Sequence, residues 1–249
     1  MKAVFLSDAH LWSEQDKGYR RLVHFLGELE GEIDHLVVAG DFFDFWFCDG
    51  QNFYSEFRTM VDALVELKKS GADVSLIEGN HDFFMEQALG EKGIRIYRDE
   101  AILDFGGTMI YAAHGDLVDR KNSRYLLLRR VLRSTVFFHF QKWLPLPVLW
   151  RIARASSNSS RRYKKENTGA MVEAMIDFAR RKISEGMDAV VLGHSHQQLF
   201  RHYVVGEQQG VLVLLGDWID KFSYLLLRDG SFSLECYDDY GRRPQAPVL

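Results

Sequence analysis

The stretch LVVAGDFFD, residues 36–44, joins four consecutive aliphatic residues to a glycine and two carboxylates. A short run that is apolar at every position suits a strand buried on both faces, as in a parallel sheet covered by helices. Gly40 then lets the backbone turn sharply and come close to a ligand. Asp41 and Asp44 therefore stand just past the carboxyl end of a buried strand, where open α/β sheets place their ligand sites.

The same arrangement recurs along the chain. Ala3–Leu6 runs into Ser7-Asp8-Ala9-His10, and Val74–Ile77 leads to Gly79-Asn80-His81-Asp82. Met109–Ala113 runs into His114-Gly115-Asp116, and Ala189–Leu192 into Gly193-His194-Ser195-His196. A sixth apolar run covers Val211–Leu215. Between the runs, Tyr19–Leu29, Glu56–Lys69 and Gly169–Ser184 carry apolar residues at helical spacing. The pattern predicts an α/β domain with a largely buried sheet. The tail predicts a terminal hairpin, Tyr224–Leu227 and Phe232–Tyr237 about the turn Arg228-Asp229-Gly230-Ser231. Residues 1–249 read as one domain, interrupted between about 120 and 167 by an insertion that breaks the rhythm.

Composition bounds the function. The chain has 249 residues, 47% hydrophobic and 27% charged, ordinary for a globular domain. No apolar run approaches the ~20 residues that span a bilayer. The amino terminus runs straight into a polar motif with no long apolar leader, so a cytoplasmic location is expected. Two cysteines, Cys48 and Cys236, are too few for a disulfide scaffold. The net charge of −4 conceals an asymmetry: Arg120 to Lys165 holds 13 Lys and Arg with no Asp or Glu, leaving −17 for the rest. Such a block suits an anionic partner, although a solvated helical face carries similar charge.

Five of the nine histidines lie in the strand-end loops. The donors there are imidazole nitrogen, carboxylate oxygen and amide oxygen, a mixture that suits Mn²⁺, Fe or Zn²⁺ better than Ca²⁺ or Mg²⁺. They exceed what one ion needs, which implies two divalent metals, with a carboxylate such as Asp41 able to bridge them. Two metals clamp a phosphoryl group and lower the pKa of a bound water from 15.7 toward ~7. The implied chemistry is metal-assisted hydrolysis of a phosphoester or phosphoanhydride. Blander roles suit His24 and His35, expected at the surface or a helix end, and His139, expected as packing. Asp82 and Asp116 suit turn caps.

The motifs D-x-H, G-D-x-x-D, G-N-H-D, H-G-D and G-H-S-H, in order from Asp8 to His196, resemble the calcineurin-like metallophosphoesterase family. That resemblance implies a four-layer αββα sandwich. It implies one metal held by Asp8, His10, Asp41 and His196, and another held by Asp41, Asn80, His114 and His194. It places His81 at the leaving oxygen as the catalytic acid or charge stabiliser, with Asp44 hydrogen-bonded to its ring.

The insertion bears on the substrate. LLLRRVL from Leu126 and FHFQKWLPLPVLWR, residues 138–151, set apolar clusters among cations. Pro145 and Pro147 argue against one unbroken helix and for a helical lid. Such a surface suits an acylated anion and an anionic membrane. An ordinary helical pair packed on the core is the simpler reading. Nucleic acid is not expected, because base stacking uses exposed aromatics rather than leucine runs.

The segment GDFFDFWF, the following GNHDFF, and a Tyr nine residues beyond the Asp of HGD resemble the UDP-2,3-diacylglucosamine hydrolases. These are enzymes of lipid A biosynthesis with a helical lid in this position. The resemblance implies cleavage of the substrate pyrophosphate to UMP and a diacylglucosamine 1-phosphate, by an enzyme peripheral at the inner membrane. Asn80 and His81 would then touch substrate, with Asn122 and Tyr125 near the head group and Arg161, Lys164 and Lys165 near phosphates. His81 and Asp44 stand where many members carry Arg and Glu. Other phosphodiester or nucleotide substrates on the same core remain the alternative; a binding scaffold or a nuclease are more distant ones.

Overall fold

Successive side chains of a strand point to opposite faces, so a strand apolar throughout must be covered twice. In β1 (Lys2–Leu6), Ala3 and Phe5 face one way and Val4 and Leu6 the other, and all four are buried. Each set belongs to a different core. Val4 and Leu6 join the apolar faces of α1 (Lys17–Leu29) and α2 (Arg58–Lys69), whereas Ala3 and Phe5 meet the side chains of a second sheet.

The computed structural model describes residues 1–46, 48–49, 52–118, 123–141, 168–238 and 241–244. The elements between α1 and α2 are β2 (His35–Ala39), β3 (Cys48–Asp49) and β4 (Asn52–Phe53). Then come β5 (Asp73–Ile77), α3 (Glu86–Leu89), β6 (Arg95–Tyr97), β7 (Glu100–Phe105) and β8 (Thr108–Ala113). Within the inserted region lie α4 (Ser123–Leu132) and α5 (Thr135–Gln141). Helix α6 occupies 168–184. The chain continues through β9 (Ala189–Leu192), β10 (Gln198–Val205), β11 (Gln208–Leu215), β12 (Ser223–Arg228), β13 (Ser231–Asp238) and β14 (Gly241–Pro244).

There are two main sheets where the apolar runs predicted one. Seven strands run in the order β14-β13-β12-β1-β2-β5-β6, and five in the order β10-β11-β9-β8-β7. β1, β2, β5 and β6 are mutually parallel, as are β8, β9 and β11. The hairpin predicted at the tail is β12–β13, and β14 extends it at the edge.

The four layers follow from three apolar cores. α1 buries Tyr19, Leu22, Phe25, Leu26 and Leu29, one helical stripe, against the outer face of the larger sheet. The inner faces of the sheets share Phe5, Ile77, Phe105, Ile110, Val191 and Leu225 among others. On the outer face of the smaller sheet, Met175, Ala179 and Ile183 of α6 cover Val190, Leu192, Leu212 and Leu214. Each fully buried side chain of this kind contributes about 1.5–3 kcal/mol relative to exposure. Across the middle layer Phe5 meets Phe105 edge to face, with ring centroids 5.8 Å apart.

His24 is exposed on α1, but His35 is a strand residue whose ring lies 4.9 Å from Phe105. The smaller sheet therefore recruits a histidine that reads from sequence as a surface residue. His139 lies on an exposed side of α5 instead of packing inward. The stretch holding Pro145 and Pro147, and most of residues 120–167 beyond α4 and α5, lies outside the described residues.

Phe5→Ala is expected to cost about 3–5 kcal/mol, the usual range for emptying a buried aromatic site. The loss would appear as a lower denaturation midpoint at unchanged slope.

Candidate metal centre

The parallel strands of both sheets deliver their carboxyl ends to one edge of the sandwich. Asp8 and His10 follow β1, Asp41 and Asp44 follow β2, and Asn80 and His81 follow β5. From the smaller sheet come His114 after β8, and His194 and His196 after β9. The loops lock to each other through backbone bonds, Asp8 N–H to the Gly40 carbonyl and His10 N–H to the Asp41 carbonyl at 3.1 and 3.0 Å.

Five of these residues sit in the left-handed backbone region, with φ of 53° at Asp8, 44° at His10, 50° at Asp41, 66° at His194 and 54° at His196. Non-glycine residues adopt it at a cost of order 1–3 kcal/mol each and hold it only where the surroundings impose it. Here the surrounding ladder imposes it, and the turn aims each side chain inward. Gly79 and Gly193 are required by close approach. A Cβ on Gly79 would fall on the Asp41 carboxylate, and one on Gly193 would lie 2.6 Å from Asp8 Oδ2.

Each acidic ligand candidate is held by one oxygen and presents the other. Asp8 Oδ2 accepts from the His194 amide at 2.8 Å, and Asp41 Oδ1 from the His81 amide at 2.9 Å. Asp8 Oδ1 lies 3.9 Å from His10 Nε2 and 3.5 Å from His196 Nε2. Asp41 Oδ2 lies 3.7 Å from His10 Nε2 and 3.3 Å from His114 Nε2. His114 Nε2 is in turn 3.0 Å from Asn80 Oδ1 and 3.0 Å from His194 Nδ1. Donor atoms thus converge in three sets, Asp8, His10 and His196 in one, Asp41, His114 and His194 in another, and His10, Asp44 and His81 in a third. The Asp41 oxygen lies between His10 and His114.

The donors fit divalent metals. Asp8 Oδ1 and His10 Nε2 are buried and have no hydrogen-bond partner among the described residues. Leaving such groups unpaired costs about 1–3 kcal/mol or more, which a cation would offset. Burial pushes His114 down, yet Asp41, Asp8 and Asp116 outweigh it and raise the imidazole to about 9. Burial also opposes the Asp41 charge, but His114, His81 and His10 hold its carboxyl well below the usual range. A field that holds a proton on His114 favours a divalent cation in that proton's place, because a ligating imidazole is neutral.

The atoms facing away from the site set the ring orientations. His114 Nδ1 lies 3.2 Å from the Ala39 carbonyl, which can only accept, so Nε2 is the nitrogen free to ligate. His196 Nδ1 is 3.8 Å from Asp217 Oδ2. Asp217, just past β11, was not among the sequence candidates; the signal was available, since it follows a sixth apolar run as Asp41 follows the second. The Asp44 carboxylate turns to His10, with Oδ1 3.2 Å from Nδ1. It does not take the role expected for it at His81, whose Nδ1 is held at 3.0 Å by the Asp44 backbone carbonyl while the carboxylate stays 3.9 Å off. His10 and His81 meet edge to face with ring centroids 4.9 Å apart, and the carboxylate lies nearer the His10 ring. Asp82 caps the turn as expected, accepting from the amides of Gly79, Asp41, Phe42 and Phe43. Asp116 instead accepts from Tyr125 Oη at 2.5 Å and Arg129 Nε at 2.8 Å, so Tyr125 is tied to the H-G-D loop from α4. Asn122, Arg161, Lys164 and Lys165 lie outside the described residues.

The family model for calcineurin-like phosphoesterases matches residues 1–198. The chain belongs to that family. This calcineurin-like phosphoesterase is 28% identical over 238 residues to the UDP-2,3-diacylglucosamine hydrolase of Pseudomonas fluorescens, covering 94% of each chain. To the protein of that name from Aeromonas salmonicida it is 28% identical over 243 residues, covering 94% of this chain and 93% of the other. Among solved structures, Entamoeba histolytica Vps29 complexed with Zn²⁺ superposes with a TM-score of 0.50 at 14% identity, covering 98% of this chain and 97% of that one, a likeness of fold. Family and relatives together make the chain a metal-dependent phosphoester hydrolase.

Two substitutions separate the roles at the centre. Asp44→Ala is expected to weaken metal binding about 10–100-fold, because it releases the His10 ring. His81→Ala is expected to keep metal content while lowering kcat about 10²–10⁴-fold. Metal titration beside steady-state kinetics checks both. Gly79→Ala is expected to cost about 1–3 kcal/mol by overpacking and to lower metal content, read by thermal melting and metal analysis.

Proposed function

We propose that this phosphoesterase hydrolyses the pyrophosphate of UDP-2,3-diacylglucosamine, releasing UMP and 2,3-diacylglucosamine 1-phosphate for lipid A biosynthesis. The observation that carries the reading is the pair of donor sets bridged by Asp41, joined to full-length similarity with relatives of that name.

Two divalent cations, with Mn²⁺ the proposed pair, held by Asp8, His10, Asp41 and His196 and by Asp41, Asn80, His114 and His194, would polarise the phosphoryl oxygens and lower the pKa of a bound water. The protein's own groups supply orientation and charge. Asp41 is anchored by the His81 amide, so the carboxylate that would lie between the cations is tied to the backbone of the residue that carries the catalytic imidazole. With Nδ1 donating to the Asp44 carbonyl, His81 directs Nε2 toward the centre, 4.0 Å from Asp41 Oδ2. There it meets the charge developing on the departing UMP oxygen. Asn80 and His81 also touch substrate in this reading, and Tyr125 borders the head group with Asn122. Arg161, Lys164 and Lys165 meet its phosphates.

The insertion supports the acylated substrate and a peripheral place at the cytoplasmic face of the inner membrane. Leu127, Leu128, Val131, Val136 and Phe140 are exposed on α4 and α5, five of the nine large apolar residues exposed among those described. They lie in the segment with the basic block, the combination of apolar surface and cations that favours an anionic lipid. No helix of the described residues is long and apolar enough to cross a membrane.

Metal-free protein given Mn²⁺ and UDP-2,3-diacylglucosamine is expected to release UMP, and Asp41→Ala to abolish it. The deacylated nucleotide sugar is expected to be a poor substrate. Cleavage of bis(p-nitrophenyl) phosphate without UMP release from the lipid would retain the hydrolase and reject the substrate.

A further inference from the structure

Arg133 follows the last residue of α4, yet only 5% of it is exposed. A guanidinium stays charged in proteins and is costly to bury unless its donors are used. Here Nη2 is spent on the loop that carries Asn80 and His81 and Nη1 on the segment before β7, while Nε has no hydrogen-bond partner among the described residues. Nη2 donates to the Gly79 carbonyl at 2.9 Å and lies 3.3 Å from Glu78 Oε2. The guanidinium carbon sits 5.5 Å from the centroid of the Phe83 ring, beyond the other end of the same loop. Nη1 donates to the Arg98 carbonyl at 2.8 Å and to Asp99 Oδ1 at 3.1 Å, which fixes the side chain from the opposite side. Glu78 closes the frame by accepting from the Met85 amide at 3.0 Å. One side chain of the insertion therefore holds residues 78, 79 and 83, on both flanks of Asn80 and His81.

The contacts exceed what anchoring a helix requires. Arg129 already binds Asp116 and Asp99 at 2.8 and 2.7 Å, and Tyr125 binds Asp116. Those bonds seat α4 on the H-G-D loop and on the segment between β6 and β7. Arg133 alone among these reaches the Gly79 carbonyl, one residue before Asn80. A planar fork is suited to bridge two carbonyls in fixed directions, which an ammonium cannot do.

We propose that Arg133 is a positioning residue for the hydrolysis: it sets the Asn80–His81 loop and couples its geometry to the seating of α4. The proposal rests on the phosphoesterase chemistry and not on the identity of the lipid. It follows that the inserted helix, whatever substrate it meets, acts on the Asn80–His81 loop through the buried side chain of Arg133.

The test uses the full chain loaded with Mn²⁺ and bis(p-nitrophenyl) phosphate, a small ester that needs no acyl site. Arg133→Gln is expected to lower kcat about 10²-fold, the scale of a misplaced catalytic group, with KM changed less than about threefold. Arg133→Lys should recover only part of that loss. The deciding readout is the pairing with His81. In a His81→Ala background, Arg133→Gln should lower kcat by roughly tenfold or less, because of the two groups its loop carries only Asn80 is left to misplace. Equal losses in both backgrounds, or wild-type kcat in Arg133→Gln, would overturn the proposal. Should Arg133→Gln fail to fold through its unpaired Glu78, the double variant Glu78→Gln/Arg133→Gln removes both charges together. It is held to the same two criteria. Activity on the small ester with none on UDP-2,3-diacylglucosamine would reject the proposed substrate while leaving this inference standing.

Discussion

Asp41 Oδ2 stands 3.3 Å from His114 Nε2 and 3.7 Å from His10 Nε2, one nitrogen from each sheet. For one oxygen to do this, the two sheets must face each other with their carboxyl ends together. The carboxylate is fully buried, and its other oxygen is fixed by the His81 amide. Gly79 must lack a side chain to let it in, and Asp82 must gather the amides of the turn around it. Burying this charge without cations nearby would be prohibitive. The histidines around it, and the metals that donor set suits, make the position tenable.

That constraint explains where the backbone is strained. The left-handed residues of the site follow β1, β2 and β9, and each lets a strand end in a turn tight enough to send its side chain back across the edge. The three apolar cores provide the stability against which a few kcal/mol of local strain can be held. The sandwich thus works as a rigid mount. Its rings are oriented from behind, by Asp44, by the Ala39 carbonyl and by the Asp44 carbonyl.

The insertion stands in a different relation to the core. α4 is tied down on one side by a dense set of charged and hydroxyl contacts, Tyr125, Arg129 and Arg133 against Asp116, Asp99 and Glu78. On the other it exposes Leu127, Leu128 and Val131. Polar attachment inward and apolar exposure outward reverse the usual pattern of a surface helix. The inward side conforms to a centre rich in carboxylates and carbonyls, and the outward side leaves apolar surface for the proposed acyl and membrane contacts.

The local sequence determined the central strands, the main helices and the roster of donors, because a doubly buried strand must be apolar throughout and each such run ends in a polar motif. It could not reveal the second sheet as separate. β7 and β10 are edge strands whose exposed positions carry Asp104, Arg201 and His202, so the apolar run breaks there and the strands pass unread. Nor could it assign partners among the donors. Asp44 serves His10 by its side chain and His81 by its backbone, Asp217 reaches His196, and Arg133 reaches Gly79 from 54 residues away. Residue type and spacing specify which chemistry each strand end can offer. Which atom meets which depends on distances across two facing sheets, and those exist only once the chain has folded.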